Sequence, residues 1–345
     1  MQGNRGPLDL TNRRTTDLRI VLISILAGVM ALAATSGGTA QEATPKNQKS
    51  ESPVVKLSLI ATDLSDHSID TLRKEDIQLL EDGVPQTILS LSPDERLVEY
   101  GIAVDASGSV RRILQVVINT AKAVVNNNRA GDETFLETFV DSNKIQMIQD
   151  FTASKDNLLD ALDEVFVEGG QSAISDAVYL AVEHIAERRK GTDNRRQALV
   201  LITDGEDRSS VYKEADLEKL SSEKNVQIFV IGFVSEVKIK LTSQERKEGH
   251  RSRDEATALL TRLAEVTGGR AFFPDGTTDL DRAVSEINRD LRKQYSISYQ
   301  PTEPKPGFNK IAVQITAPEK DKLKVITRPG YFIPAAEKPK DKKPK

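Results

Sequence analysis

Tyr100-Gly101-Ile102-Ala103-Val104-Asp105-Ala106-Ser107-Gly108-Ser109 passes from an apolar run into a string of carboxylate, hydroxyl and glycine. A strand buried on both faces of a parallel sheet has this near-continuous apolar character. Two later segments share it. Ala198 to Ile202 leads into Thr203-Asp204-Gly205, and Val226 to Val234 is apolar except for Gln227 and Gly232. Between such runs lie stripes of helical spacing: Val110, Ile113, Leu114, Val117, Ala121 and Val124, then Ile174, Ala177, Val178, Ala181, Val182 and Ile185. Glu133–Val140 and Lys144–Ile148 read as an antiparallel hairpin at one edge. Alternation of strand and helix predicts an α/β domain over residues 97–293, a doubly wound, mostly parallel sheet with helices on both faces.

Outward from that centre the period changes to two. Val55 to Ile60, Ile77 to Leu80 and Gln86 to Leu91 alternate on one side, the last two separated by the turn Glu81-Asp82-Gly83. Tyr295 to Tyr299, Ile311 to Ile315 and Leu323 to Ile326 alternate on the other side, divided by turns rich in Pro and Gly. Three strands close no stable domain. The economical expectation is one small β-sandwich built from the segments 53–96 and 294–334, with the α/β domain inserted between them. The alternative is two separate β appendages flanking it. Glu236 to Asp254 is highly charged and is expected to be a surface loop.

The ends have other compositions. Arg5, Arg13, Arg14 and Arg19 precede the apolar run Ile20–Ala34 and small residues up to Ala40. This is the pattern of a secretory signal over residues 1–40. The competing reading is an uncleaved anchor within residues 20–40, although the strongly apolar part is shorter than the ~20 residues needed to span a bilayer. Both place the body outside the cytoplasm, in the periplasm or the extracellular space. Residues 41–52 read as a polar linker, and residues 335–345, with five lysines and two prolines, as a disordered tail. The chain has no cysteine, which excludes disulfides and thiolate metal sites. Its formal net charge of −4 becomes −6 without residues 1–40, because four arginines and two aspartates leave with them. An acidic body argues against nucleic acid as a partner.

Ligands of open α/β sheets bind beyond the carboxyl ends of the strands. Asp105 and Asp204 stand at two such ends. Ser107, Ser109 and Ser172 stand in loops that reach the same edge, Ser109 and Ser172 also at places where a serine caps a helix. Two carboxylates and three hydroxyls suit a hard divalent cation such as Mg²⁺ or Mn²⁺. Neutral hydroxyl ligands leave that ion underneutralised and open to an acidic side chain from outside.

In order, Asp105-Ala106-Ser107-Gly108-Ser109, then Gly169-Gly170-Gln171-Ser172-Ala173-Ile174-Ser175-Asp176-Ala177, then Ile202-Thr203-Asp204-Gly205-Glu206, resemble the metal-ion-dependent adhesion site of the von Willebrand factor type A family. Ser172 falls at that family's threonine position, with Gln171 as one extra residue. The flanking Arg73-to-Gln86 segment, the Tyr295-to-Pro301 segment and Arg328-Pro329-Gly330-Tyr331-Phe332 are similar to a bacterial secreted branch. The resemblance implies Ser107, Ser109 and Ser172 as direct ligands, and Asp105 and Asp204 as ligands directly or through water. It implies a protein-binding module for adhesion or scaffolding, recognising a partner's exposed Asp or Glu, rather than an enzyme. An envelope-assembly module with a loop-ordering ion and a metal-dependent hydrolase are the alternatives. Against hydrolysis, Ser107 occupies the place where a phosphotransferase carries its second carboxylate. The Gly-x-Ser-x-Gly elbow of a serine hydrolase is missing at Ser107, where Asp105 stands two residues before. His67, His184 and His250 have no zinc spacing and read as surface or packing residues. Asp176, Glu206 and Asp207 read as helix-start or solvated charges.

Overall fold

A computed structural model describes residues 54–188, 194–237, 240–317 and 322–334. The expected signal segment, linker and Lys/Pro tail lie outside the described residues.

The first strands are β1 (Val55–Asp63), β2 (Ile77–Glu81), β3 (Val84–Gln86) and β4 (Ile88–Asp94). The α/β part follows with β5 (Val98–Asp105), α1 (Leu114–Asn126), β6 (Glu133–Asp141), β7 (Lys144–Thr152), α2 (Lys155–Asp163) and α3 (Ile174–Glu187). It continues through β8 (Arg196–Thr203), α4 (Glu214–Glu223), β9 (Val226–Gly232), α5 (Ser243–Lys247), α6 (Arg253–Glu265), β10 (Ala271–Phe272) and α7 (Thr277–Asp290). The chain then returns to strands: β11 (Gln294–Tyr299), β12 (Gly307–Ile315), β13 (Leu323–Ile326) and β14 (Gly330–Ile333).

The central sheet has the order β10-β9-β8-β5-β6-β7. Every pairing is parallel except β6 with β7, the expected edge hairpin. Alternation along β5 divides its side chains between two cores. Val98, Tyr100, Ile102 and Val104 join α1, α2 and α7 on one face; Ala103 joins α3, α4 and α6 on the other. From β5 the chain first moves outward to β6 and later re-enters on the opposite side as β8. The strand order therefore reverses between β5 and β8, which is where such sheets bind ligands.

The flanking strands form two antiparallel sheets, β13-β1-β11-β4 and β14-β12-β2-β3. Leu57, Leu59, Ile297 and Tyr299 from one meet Ile77, Leu79 and Ile311 from the other in one core. Each sheet thus joins strands from both ends of the chain. The alternating run Gln86 to Leu91 is not one strand. Asp82 and Gly83, at φ +47° and +81°, make the tight two-residue turn that pairs β3 with β2. After Thr87 the chain crosses to the other sheet, where β4 pairs with β11. Glu81 is buried between the sheets, accepting hydrogen bonds from Tyr299 at 2.6 Å and Tyr331 at 3.2 Å.

The described residues of the charged stretch 236–254 carry helical structure as well as loop. The stretch holds α5 and ends in the Ser252 cap of α6, where Ser252 and Glu255 bond reciprocally.

Gly101 fixes how closely β5 and β6 can pack. A Cβ there would lie 2.3 Å from the Phe135 ring. Gly101→Ala is expected to destabilise the protein by about 1–3 kcal/mol through overpacking. The measurement is a lowered urea midpoint at unchanged slope; an unchanged midpoint would show that Phe135 has room to move.

Candidate metal centre

The carboxyl end of β5 delivers Asp105, and the turn after it delivers Ser107 and Ser109. Helix α1 does not begin at Ser109, as the apolar stripe suggests. A 3-10 turn over Ser109–Arg112 intervenes, with Gly108 at its N-cap position and no side-chain cap. Ser172 likewise caps nothing: the N-cap of α3 is Ala173, also without a side-chain bond. Neither hydroxyl serves a helix end, so the capping role open to both in the sequence is corrected, and both turn to the site.

The five residues are joined by hydrogen bonds. The Ser107 amide donates to Asp105 Oδ1 at 3.0 Å, and the Ser107 and Ser109 hydroxyls share a bond of 2.9 Å. Ser109 in turn bonds Asp204 through its side chain. Ser172 Oγ donates to Asp105 Oδ2 at 3.2 Å. The extra residue Gln171 does not displace Ser172, because the loop before it turns tightly. Gly170 has φ +90°, and a Cβ there would lie 2.6 Å from Val140. Only glycine lets the backbone lie so close to β6.

Thr203 is a participant that the sequence motif alone leaves silent. It is fully buried, and its hydroxyl donates to Asp105 Oδ2 at 2.6 Å while accepting from the Gly205 amide at 3.1 Å. The signal for it was its place immediately before Asp204 at the end of β8. The Asp204 carboxylate accepts from the Glu206 amide at 3.0 Å.

The electrostatics are unusual. Asp105 is 0% exposed and Asp204 2%, and neither has an ion-pair partner among the described residues. Burial raises the pKa of Asp105 despite hydrogen bonds from Thr203, Ser107 and Ser172. Asp204 is pushed up to about 7, first by burial and then by the charge of Asp105. Two carboxylates forced together without a cation disfavour their own ionisation. All the donors are oxygens, the set that hard divalent ions take. Among the described residues no three His, Cys, Asp or Glu side chains cluster as a metal site; this donor set reaches that chemistry by counting hydroxyls.

Around this centre, two acidic residues are not solvated as expected. Asp207 is buried and accepts from Ser175 Oγ at 2.7 Å and Ser210 Oγ at 2.6 Å. Asp176 stands in the first turn of α3, as a helix-start charge should. Its side chain is nevertheless buried and accepts from the Val211 and Tyr212 amides at 3.0 and 2.8 Å, pinning the loop after β8. Glu206 and His250 pair at 3.1 Å, joining the charged stretch to the Asp204 loop. His184 packs, its ring stacked on Phe151 with centroids 5.2 Å apart.

The model of the von Willebrand factor type A domain family matches residues 101–286, a span containing all five residues. Among solved structures, an aerotolerance-related membrane protein from Bacteroides fragilis is 19% identical, covering 56% of this chain and 98% of its own at a TM-score of 0.42. A von Willebrand factor type A protein from Catenulispora acidiphila is 11% identical, covering 83% and 75% at a TM-score of 0.42. The manganese-loaded TRAP protein of Plasmodium vivax is 13% identical, covering 75% and 100% at a TM-score of 0.40. No curated protein matches the chain.

The raised pKa of Asp204 has a sign that can be measured. A carboxyl with a higher pKa in the folded than in the unfolded state stabilises the fold at low pH, and that contribution is lost as pH rises through about 7. The metal-free protein is expected to lose on the order of 3 kcal/mol between pH 5 and pH 8 from this group. Asp204→Asn should flatten the profile and be the more stable protein at pH 8 in EDTA. A flat wild-type profile in thermal melts would contradict the like-charge account.

Proposed function

The chain belongs to the von Willebrand factor type A domain family, and on that premise we propose that it is an exported protein-binding module that captures an acidic residue of a partner through Mg²⁺ or Mn²⁺. The observation that carries this reading is the pair of buried carboxylates without a cationic side-chain partner among the described residues, Asp105 and Asp204, linked by a chain of hydrogen bonds through Ser107 and Ser109, with Ser172 on Asp105.

When bound, the ion would supply a positive centre with an open position for an outside carboxylate. Ser107, Ser109 and Ser172 would hold it as neutral oxygens. Asp105 and Asp204 would supply the charge that keeps it there. Thr203 positions Asp105, and the Glu206 amide positions Asp204. An adhesive or scaffolding role would follow from this chemistry, since three neutral serine hydroxyls and two carboxylates would leave a divalent ion attractive to a partner's carboxylate.

Side-chain pairing favours binding over hydrolysis. Each histidine is engaged away from the serines of the site: His67 with Asp63, His184 with Asp150 and His250 with Glu206 and Arg208. A nucleophilic serine would want one of them as its base. The arginine-flanked apolar segment at residues 5–34 supports export, to the periplasm or beyond, with the anchor reading still served by the same residues.

Millimolar Mg²⁺ or Mn²⁺ should raise the melting temperature, the gain approaching about 2.7 kcal/mol at a hundredfold excess over Kd. Asp105→Ala should abolish that shift. Ser172→Ala should weaken it and Ser172→Thr preserve it, since the hydroxyl survives. Proteins retained from the native envelope should be released by EDTA. If EDTA and Asp105→Ala both leave the melt unchanged, the metal reading is wrong.

A further inference from the structure

The wall of the metal centre runs on into a second feature. Asp207 follows Asp204 by three residues, and the Arg208 amide donates to the Ser172 carbonyl at 2.9 Å. Beyond them opens a cleft of about 370 Å³ whose lining includes Asp207, Arg208, Tyr212, Lys213, Glu214 and Arg251.

Its charge runs against that of the whole chain. The protein carries a net charge of −4, yet the cleft gathers three cations. Of its two carboxylates, Asp207 has both oxygens occupied by the hydroxyls of Ser175 and Ser210. The cations are held mainly by neutral groups. Arg251 Nε donates to the Asp207 carbonyl at 3.3 Å, and Lys213 Nζ donates to the Ser210 carbonyl at 3.2 Å. Among the described residues neither has a carboxylate within ion-pair distance. Arg208 lies 3.9 Å from Glu206 and is shared with the His250 ring. A cation positioned by backbone carbonyls keeps most of its attraction for an incoming anion, and little further ordering is needed to use it.

The cleft is also rigid. Tyr212 stacks on Tyr179 at 3.7 Å between centroids, and the buried Asp176 holds the Val211 and Tyr212 amides. Asp204 and Asp207 lie at most ~11 Å apart along the chain. Two acidic side chains about three positions apart on a flexible glycine-rich peptide, about 10 Å by random-coil spacing, cover that span.

We propose that this cleft is a second anion subsite of the same binding face, so that the partner presents two acidic side chains. One would go to the ion at Asp105 and Asp204, and the other to Arg251, Lys213 and Arg208. The assignment rests on the metal-bridged reading of the site.

The test uses the purified full chain and two hexapeptides built on glycine, one with a single glutamate and one with a second glutamate three positions on. In Mg²⁺ the diacid should bind about five- to tenfold more tightly than the monoacid. The double variant Arg251→Gln, Lys213→Gln should erase that advantage while keeping monoacid affinity and the Mg²⁺-dependent melting shift. If the double variant loses the shift, Lys213→Gln alone, on an exposed side chain, replaces it and should reduce the advantage. Equal binding of both peptides to the wild type, or an advantage that survives in the variants, overturns the proposal. A diacid advantage that persists in EDTA and is erased by the variants keeps the cleft and overturns the metal-bridged reading instead. Binding of neither peptide in either condition overturns both.

Discussion

Two buried carboxylates held together with no cationic side chain against them among the described residues are the constraint around which the rest of this protein is arranged. Asp105 ends β5 and Asp204 follows the end of the neighbouring parallel strand β8, so both stand at the edge where the strand order reverses. Their repulsion is set by the sheet and cannot relax by a rotamer change, because Thr203, Ser107 and Ser172 fix Asp105, and Ser109 and the Glu206 amide fix Asp204. Proteins bury such pairs where a proton or an external cation completes them. The unfavourable electrostatics are local, and the apolar cores on the two faces of the sheet hold the geometry against them.

The scaffold supports this at two levels. Close packing of β5 on β6 requires Gly101 against Phe135, and the approach of the Ser172 loop to β6 requires Gly170 against Val140. Farther out, one hydrogen bond and one ion-pair cluster tie the sandwich to the α/β part: Ser68 bonds Asp290, which Arg270 pairs, and Arg96 and Arg196 converge on Asp94. Asp94 ends β4 and Asp290 lies just before β11, so the two chain crossings between sandwich and α/β sheet are each held at a carboxylate. A buried ion pair adds little net stability but is costly to break singly, which suits junctions whose role is to hold an orientation.

Much of this was legible in the residues. Apolar runs ending in polar strings marked β5 and β8, and helical stripes marked α1 and α3, because burial on both faces of a sheet leaves little choice of residue. The sandwich was legible from its period of two, and its Asp82-Gly83 turn from chemistry that favours positive φ. The break after Gln86 was not, since alternation continues through Thr87 while the chain changes sheets. Nor were the buried acids. Glu137 falls by strand alternation on the same face as Phe135 and Phe139, and it is 5% exposed, with its pKa pushed up to about 8 by burial. Asp176 and Asp207 looked like ordinary surface charge because their hydrogen-bond partners, at Ser175 and across residues 210–212, come together only in three dimensions. The five residues proposed for the centre could be singled out because Asp105 and Asp204 stand at strand ends and the three serines lie in loops that reach the same edge. Thr203 was passed over because threonine at a strand end is unremarkable.

An ion bridging to a carboxylate is indifferent to which protein carries it, so selectivity has to reside in what surrounds the ion. Here the surroundings of the proposed ion come from outside the motifs that would hold it. The charged stretch before α6 turns His250 and Arg251 inward onto Glu206 and the Asp207 carbonyl, while Arg253 anchors it to the Val234 and Ser235 carbonyls. On the loops that carry Ser172 and Asp204, two large apolar side chains stand exposed: Phe166 at 66% and Val211 at 71%. Apolar side chains so exposed gain nothing for the fold, whereas at a binding edge they gain burial when a partner arrives. Under the proposed metal-bridged reading, cationic cleft, apolar flanks and ion would together define a face with a direction, so that an acidic residue would be read by its neighbours as well as by its charge.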